Sequence, residues 1–229
     1  MSAHVILTFS SSISSHKVDV SNAEQVAQAA ESIRSSLGPP TMLINNAGLF
    51  NGALLIDADA SSAEKAWRVN TLAHFVTVRE FLPHMIKSNH GHIVSLASAA
   101  SYTSLPQMGQ YTTSKSAALA FHEVLQGELR TRYKAPRVRS SIFCPTKVRT
   151  MMGDTMEDHQ MAFVHPNLMP SEVAWKMVQA LDSGLSQFVI MPKIMTVAAP
   201  LWRAIPSWVR RSAEVVSAIQ PNKQSHHRR

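Results

Sequence analysis

Short apolar runs alternate with long amphipathic segments through most of this chain. The runs with the length and composition of strands are Ile13–Val20, Met42–Asn46, His92–Ala97, Val138–Phe143 and Phe188–Met191. The segments between them repeat apolar residues at about 3.6 positions, which predicts helices over Asn22–Leu37, Ser61–Lys87, Tyr111–Tyr133 and Ser171–Leu181. This alternation predicts an α/β fold, a doubly wound parallel sheet with helices on both of its faces.

The composition fits a single globular domain. Of the 229 residues 45% are apolar and 16% charged, so a sizeable core can form. No clear linker precedes residue 192, and we expect one domain over residues 1–192 followed by a C-terminal lid or tail over 193–229. No apolar run reaches the ~18 residues of a membrane span. The single cysteine, Cys144, excludes an internal disulfide and a zinc site built from thiolates, and we expect no metal.

The charge of the chain lies in two clusters. The 22 Lys and Arg exceed the 15 Asp and Glu by seven, and residues 129–149 alone hold seven basic groups and no acidic one. Residues 201–229 hold six basic groups against one acidic group. Such clusters bind phosphate or anionic lipid in some proteins and are solvated faces in most. We therefore expect solvated faces here and no nucleic-acid partner.

Small and polar residues follow the predicted strands at the points where they end. The strand at 42–46 runs into Ala47 and Gly48, and its last residue, Asn46, can both donate and accept hydrogen bonds. The next strand runs into Ser98. Ligands of parallel sheets bind beyond the carboxyl ends of the strands, so these residues are candidates for a binding site.

A tyrosine and a lysine open the helix that follows. Tyr111 and Lys115 are four residues apart, so both lie on one face of that helix. A cation beside a phenol lowers the phenol pKa from about 10, which gives a general acid/base near neutral pH. A hydroxyl such as that of Ser98 can hold a substrate oxygen while the proton moves. The pair alone is a weak signal, but its order after Gly48 and Ser98 is rare.

This ordered set resembles the short-chain dehydrogenase/reductase family. The segments that carry the resemblance are KVDVSN (17–22), LINNAGLF (43–50), VNTLAHF (69–75), GHIVSLASAAS (91–101), YTTSK (111–115) and CPTKVRTMM (144–152). Together they cover roughly residues 13–192. The resemblance implies a Rossmann-like fold, NAD or NADP as cofactor, and the interconversion of an alcohol and a carbonyl compound.

The resemblance also assigns roles to individual residues. By resemblance, Tyr111 is the catalytic acid/base. Lys115 lowers the pKa of Tyr111 and holds the nicotinamide ribose, and Ser98 positions the oxygen of the substrate. Asn70 would kink its helix around a water of the proton relay. The implied cofactor contacts are Asp19, Asn46, Ala47, Gly48, Tyr111, Lys115, Val148 and Thr150.

Several of these residues have an alternative that is purely structural. Asp19 and Thr150 each precede a predicted helix and could serve as its N-cap. Asn70 could satisfy the backbone inside a helix, and Ser98 could be a small residue at a crowded strand end. The sequence leaves these alternatives open.

Two departures from the family pattern bear on cofactor binding. The glycines at 38, 48, 52, 91, 109, 127, 153 and 184 form no Gly-rich phosphate turn near the start, and Pro145 is followed by Thr146 where the family has glycine. The strand ending near Asp19 resembles the third strand of the family, so the resemblance implies that the first two strand–helix units are lacking. We expect weakened dinucleotide binding and an open edge on strand 42–46. Strand 13–20 would pair with 42–46 or stay unpaired.

The expected substrate is lipophilic, of the retinoid, steroid or fatty-alcohol type. The alternative is a truncated isoform or fragment that keeps the catalytic residues but is catalytically impaired. By resemblance, the helices at 61–87 and 111–133 form a homodimer interface, and the protein is cytoplasmic, with attachment to the endoplasmic reticulum or lipid droplets left open. Residues 194–208 combine apolar side chains with nearby arginines, and we favour a substrate lid over a segment in peripheral contact with a membrane.

Overall fold

The computed structural model describes residues 3–9, 12–104, 106–155 and 167–218. The strands are β1 (Ala3–Phe9), β2 (Ser12–Val18), β3 (Met42–Asn45), β4 (Gly91–Leu96), β5 (Val138–Pro145) and β6 (Phe188–Met191). The helices are α1 (Ala23–Leu37), α2 (Ala60–Trp67), α3 (Ala73–Ser88), α4 (Gly109–Thr131), α5 (Met151–Asp154), α6 (Pro170–Ser183), α7 (Met195–Ala204) and α8 (Ser207–Ala218). A π-helical turn, Arg68–Leu72, joins α2 to α3, and a short 3₁₀ turn, Ala99–Ser101, follows β4.

The centre of the molecule is a four-stranded parallel sheet in the order β3-β4-β5-β6. Successive residues of β4 point to opposite faces: Ile93 packs with α3 and α4, whereas Val94 packs with Phe143 and with Ala180 of α6. Helices therefore cover both faces of a parallel sheet, which confirms the predicted α/β class. β3 pairs only with β4 in this sheet, so it forms the edge, as expected, and its Met42 and Ile44 are exposed.

The first two strands form a separate antiparallel hairpin, which corrects the prediction for residues 13–20. β2 pairs with β1 from Ala3↔Val18 to Phe9↔Ser12, and neither strand belongs to the four-stranded sheet. We expected 13–20 to join strand 42–46 or to remain unpaired, and it does neither. Two strands joined by two residues pair at a small loop-closure cost, whereas a parallel pairing with β3 needs a long crossover.

The helix predicted over 61–87 is not continuous. α2 ends at Trp67, the chain makes the wide π turn over 68–72, and α3 continues from Ala73. Asn70 lies at the centre of this turn and is fully buried. A π turn holds one more residue per turn than an α-helix, so it changes which residues face the sheet on its two sides.

The ends of the other helices follow simple capping chemistry. Asn22 caps α1 by accepting hydrogen bonds from the backbone N–H groups of Glu24 and Gln25, at 3.0 and 3.1 Å. At α6, Pro170 occupies the first turn and the Glu172 carboxylate accepts from the backbone N–H of Met169 at 2.6 Å.

The C-terminal helices extend from the far edge of the sheet. Met195 and Ala199 of α7 are buried in a cluster with Cys144 of β5 and Ile190 of β6, and this cluster contains none of the described residues of 150–155 and 167–175. No helix in the part of the chain that the structure describes is long and apolar enough to cross a membrane. The expected disorder of Pro221–Arg229 concerns residues outside the described ones, and the division at residue 192 stays a prediction.

Candidate active site

The carboxyl ends of β3, β4 and β5 form a common edge beside the start of α4. Ser98 lies two residues after β4, and Tyr111 and Lys115 lie in the first two turns of α4. All three side chains are buried, with exposed fractions of 7%, 7% and 4%. The parallel register of the strands brings these residues to one edge from distant parts of the chain.

Ser98 is held by backbone groups and contacts Tyr111. Its Oγ donates to the carbonyl oxygen of Pro145 at 3.4 Å and accepts from the backbone N–H of Ala100 at 3.2 Å. Burial raises the pKa of Tyr111 above 10, and a hydrogen bond with the Ser98 side chain partly offsets this effect. Phe50 packs edge-on against the Tyr111 ring, with centroids 5.3 Å apart.

Lys115 is an ammonium buried behind the tyrosine. Its Nζ lies 6.0 Å from the centroid of the Tyr111 ring and donates to the carbonyl oxygen of Leu96 at 2.9 Å. Burial lowers the pKa of Lys115 to about 8. The sequence predicts that this cation lowers the tyrosine pKa. In the structure burial dominates instead, so the pKa of Tyr111 shifts in the opposite direction.

Asn70 joins the loop after β3 to α4. Its Oδ1 accepts from the backbone N–H of Leu49 at 2.7 Å, and its Nδ2 donates to the Leu49 carbonyl oxygen at 2.8 Å and to the Ser114 Oγ at 2.9 Å. The Asn70 side-chain amide thus both accepts from and donates to the backbone of Leu49. This pair of hydrogen bonds fixes the loop against the π turn.

Gly48 leaves a space between the polar groups of the site. A methyl group on its Cα would lie 3.5 Å from Asn70 Oδ1, 3.6 Å from Lys115 Nζ and 3.7 Å from Met152 Cε. The neighbouring Asn46 is exposed and Ala47 half-buried. A narrow gap beside a lysine and a backbone loop has room for a flat ligand.

Val148 and Thr150 lie in the loop after β5. Val148 pairs with Leu168 in an isolated bridge, and the Thr150 Oγ1 caps α5 by accepting from the Gly153 backbone N–H at 3.0 Å. The structural alternative for Thr150 is therefore observed. Gly153 has no room for a side chain, because a Cβ there would lie 1.9 Å from the Val148 carbonyl oxygen.

Asp19 follows the hairpin strand β2 rather than a strand of the parallel sheet. Its carboxylate accepts from the backbone N–H and the hydroxyl of Ser21, at 3.0 and 2.7 Å, and these bonds lower the pKa of Asp19. The cap of α1 is Asn22, so Asp19 does not have the capping role considered from the sequence. The structure thus brings Gly48, Asn70, Ser98, Tyr111 and Lys115 together and leaves Asp19 outside that group.

Sequence reasoning missed several residues that build the site. Ser114 holds Asn70, Phe50 packs on Tyr111, and Ser101 donates to the Lys115 carbonyl oxygen at 2.9 Å. Phe50 and Ser114 lie inside the segments LINNAGLF and YTTSK. Their closeness in sequence to Gly48 and to Lys115 was the signal that could have identified them. Among the described residues, no group of three or more His, Cys, Asp or Glu is placed to hold a metal ion.

Two buried histidines lie behind the site, on the faces of α3 and α4 that pack on the sheet. His74 is 2% exposed and neither of its ring nitrogens has a hydrogen-bond partner, while the His122 Nδ1 lies 3.1 Å from the Ser140 Oγ. Burial, with the nearby charges of Lys115 and His122, lowers the pKa of His74 to about 3. Burial also lowers the pKa of His122 to about 4. Both are neutral at pH 7.

The chain is similar in sequence to known dehydrogenases. A sequence profile of the family described as short chain dehydrogenase matches residues 4–161. Over 126 residues the chain is 44% identical to "Dehydrogenase RED3" of Cochliobolus heterostrophus. The matched region covers 55% of this chain and 64% of that protein. Over 189 residues it is 35% identical to mouse "Estradiol 17-beta-dehydrogenase 11", covering 82% of this chain and 61% of that protein.

The fold has counterparts among solved structures. An alcohol dehydrogenase from the archaeon Thermococcus sibiricus, complexed with 5-hydroxy-NADP, superposes with a TM-score of 0.65 at 24% identity, over 77% of this chain and 72% of that one. At this identity the likeness concerns the fold alone. The chain spans less than two thirds of the length of the two curated relatives, 64% and 61%.

Proposed function

The chain belongs to the short chain dehydrogenase family, and on this premise we propose that it is an NAD(P)-dependent oxidoreductase that interconverts an alcohol and a carbonyl compound. The observation that carries the proposal is the meeting of Ser98, Tyr111 and Lys115 at the carboxyl edge of the sheet, next to the gap at Gly48. A buried phenol, a hydroxyl and an ammonium are the groups that proton transfer to a carbonyl oxygen needs.

In the proposed mechanism Tyr111 is the general acid/base. Because the pKa of its phenol is raised, Tyr111 is protonated at neutral pH and can donate its proton to a carbonyl oxygen that Ser98 also holds. Alcohol oxidation runs the other way and needs the phenolate, so it is favoured by higher pH.

Lys115 and Asn70 support this transfer in different ways. With a pKa of about 8, the Lys115 ammonium can give up and regain a proton near neutral pH. Its Nζ lies 6.0 Å from the centroid of the Tyr111 ring. Asn70 keeps the loop that contains Gly48 against α4 through its bonds to Leu49 and Ser114.

Tyr111, Lys115, Val148 and Thr150 would hold the nicotinamide side of the cofactor, and Asn46, Ala47 and Gly48 would hold its adenine ribose side. When bound there, NAD or NADP supplies or accepts the hydride. We expect weak affinity for either dinucleotide, because no Gly-rich turn of the G-x-G-x-x-G type occurs in the sequence to bind the pyrophosphate at a helix N-terminus. Asp19, which by resemblance meets the adenine, accepts hydrogen bonds from Ser21 on one of its carboxylate oxygens.

We propose a lipophilic substrate of the steroid, retinoid or fatty-alcohol type. The similarity to estradiol 17-beta-dehydrogenase 11 supports this class. So do the exposed apolar side chains around the site: Leu55 packs over Gly109, two residues before Tyr111, and is 79% exposed, while Met151 at the start of α5 is 84% exposed. Exposed apolar side chains beside a polar site favour a ligand with a large apolar body.

Turnover with purified full-length chain tests the proposal. We expect NADH or NADPH to form when a steroid alcohol, retinol or a long-chain alcohol is mixed with the protein and millimolar dinucleotide, and to form faster at pH 9 than at pH 7. Glucose, a polar alcohol, is the matched negative substrate. Absence of turnover with every lipophilic alcohol and both dinucleotides would contradict the proposal and favour the catalytically impaired alternative.

A homodimer through α3 and α4 is part of the same proposal. The two helices border an open apolar groove of about 1090 Å³, and Trp67, Leu72, Phe75 and Val124 on it are exposed. Two copies of this face would bury these side chains against each other. Sedimentation velocity should give about twice the chain mass of 25.2 kDa at micromolar concentration; a single 25.2 kDa species would refute the dimer.

A further inference from the structure

The helix α7 has one face in the core and one face in solvent. Met195 and Ala199 pack on the sheet edge and are 2% and 0% exposed. On the other side, Ile194, Val197 and Leu201 are 53%, 64% and 53% exposed. Their spacing of three and four residues places them in one row along the helix. This row is apolar and more than half exposed.

Exposed basic side chains and an exposed tryptophan lie before and after this row in the chain. The exposed Lys193 precedes Ile194, and on α8 Trp208 is 72% exposed while Arg211 is exposed as well. From residue 193 to residue 212 the chain has four basic residues and no acidic one. Glu214 is the one acidic residue of α8. An apolar row flanked mainly by cations is complementary to a layer with an apolar interior and an anionic surface.

We propose that the exposed residues of the segment containing α7 and α8, namely Lys193, Ile194, Val197, Leu201, Trp208 and Arg211, bind membranes that contain anionic lipid. The apolar row enters the region between headgroups and acyl chains, and the basic residues stay at the lipid phosphates. Trp208 suits the boundary, because its ring is apolar and its N–H can still find a partner in the headgroup layer. This proposal is independent of the oxidoreductase activity.

The observations favour a membrane over the other occupants of such a surface. Two copies of this face would bring together surfaces that each carry the cations Lys193 and Arg211, and these repel one another. A lid over the site needs α7 to turn an apolar face toward residues 150–175, whereas its buried side packs with Cys144 and Ile190. No described helix could cross a bilayer, so contact would lie in the plane of the interface.

Vesicle flotation of the full chain tests the proposal. We expect the protein to float with vesicles of phosphatidylcholine and phosphatidylserine, to float poorly with phosphatidylcholine alone, and to be released as salt rises from 0.05 to 0.5 M. Val197→Ser with Leu201→Ser, which keeps the charge, should weaken flotation at least about tenfold. These side chains are exposed, so circular dichroism should show an unchanged fold.

The basic cluster at residues 129–149 provides the matched control. Lys193→Glu with Arg211→Glu and Arg132→Glu with Arg137→Glu change the net charge equally, and all four residues are exposed. We expect the first pair to lower binding at least about tenfold and the second less than about twofold.

An equal loss of vesicle binding with both charge-reversal pairs would mean unspecific attraction of a basic protein. Flotation that Val197→Ser with Leu201→Ser leaves unchanged would show that the apolar row does not contact the membrane. Either result overturns the proposal. A lack of flotation also overturns the proposal. This holds if the chain is monomeric, and also if it forms a dimer that Val197→Ser with Leu201→Ser dissociates.

Discussion

Replacing Tyr111 with phenylalanine is expected to lower kcat by about 10²- to 10⁴-fold, the usual contribution of a general acid/base. The substitution removes one oxygen atom and keeps the ring, so the edge-on contact with Phe50 remains. The apparent KM for dinucleotide should change much less than kcat, because of the implied cofactor contacts only the Tyr111 hydroxyl is removed. Steady-state rates with the best lipophilic alcohol measure the effect.

Another tyrosine of the same chain provides the control for this prediction. Tyr133 lies beyond the C-terminal end of α4, where its hydroxyl donates to Glu128, far along the helix from Ser98. Tyr133→Phe loses the same oxygen atom and should leave kcat within about twofold. If Tyr111→Phe retains wild-type turnover while the protein stays folded, Tyr111 is not the acid/base.

Replacing His74 with leucine is expected to make the protein more resistant to acid. Folded His74 stays neutral down to a pKa of about 3, whereas in the unfolded chain it takes up a proton near pH 6.5. The wild-type free energy of unfolding therefore falls as the pH drops from about 6.5 toward 3, by about 1.4 kcal/mol per pH unit for this group. Between pH 6 and pH 4 the variant should lose about 3 kcal/mol less than the wild type.

Urea unfolding at a series of pH values measures this difference. Leucine keeps an apolar contact with Phe121 and removes two buried ring nitrogens without partners, so stability at pH 7 should be similar or higher. His84→Leu, an exposed histidine of the same helix, is the control and should retain the wild-type pH dependence. Parallel pH profiles for wild type and His74→Leu would show that His74 does not bind the proton on unfolding.

The sheet was predictable because its strands carry strong local signals. Residues 138–145 and 188–191 are apolar runs between helical segments, and the structure pairs them in the predicted parallel sheet. The hairpin was not predictable in the same way. Residues 3–9 and 12–18 have no strong period, and their pairing depends on which partner is near rather than on side-chain pattern.

The positions of the site residues were easier to predict than their environments. Tyr111 and Lys115 share a helix face because of their spacing, and the order of the strands brings Ser98 to them. The pKa of Tyr111 could not be predicted, because it depends on burial by residues from several segments and on a distance of 6.0 Å to the lysine. The π turn at Asn70 likewise depends on a bond to Leu49, which no helical pattern contains.

The register of the parallel sheet has a consequence for how the chain folds. Met42 pairs with His92, Gly91 with Val138, and Ile142 with Phe188, so each ladder joins residues that are nearly 50 positions apart. Closing each of these loops costs similar conformational entropy, and no strand pair gains from being close in sequence. Such a high contact order makes folding slow, and the local hairpin forms well before the sheet. Until the ladders close, the apolar strands have free edges, and the partly folded chain is most exposed to aggregation during this interval.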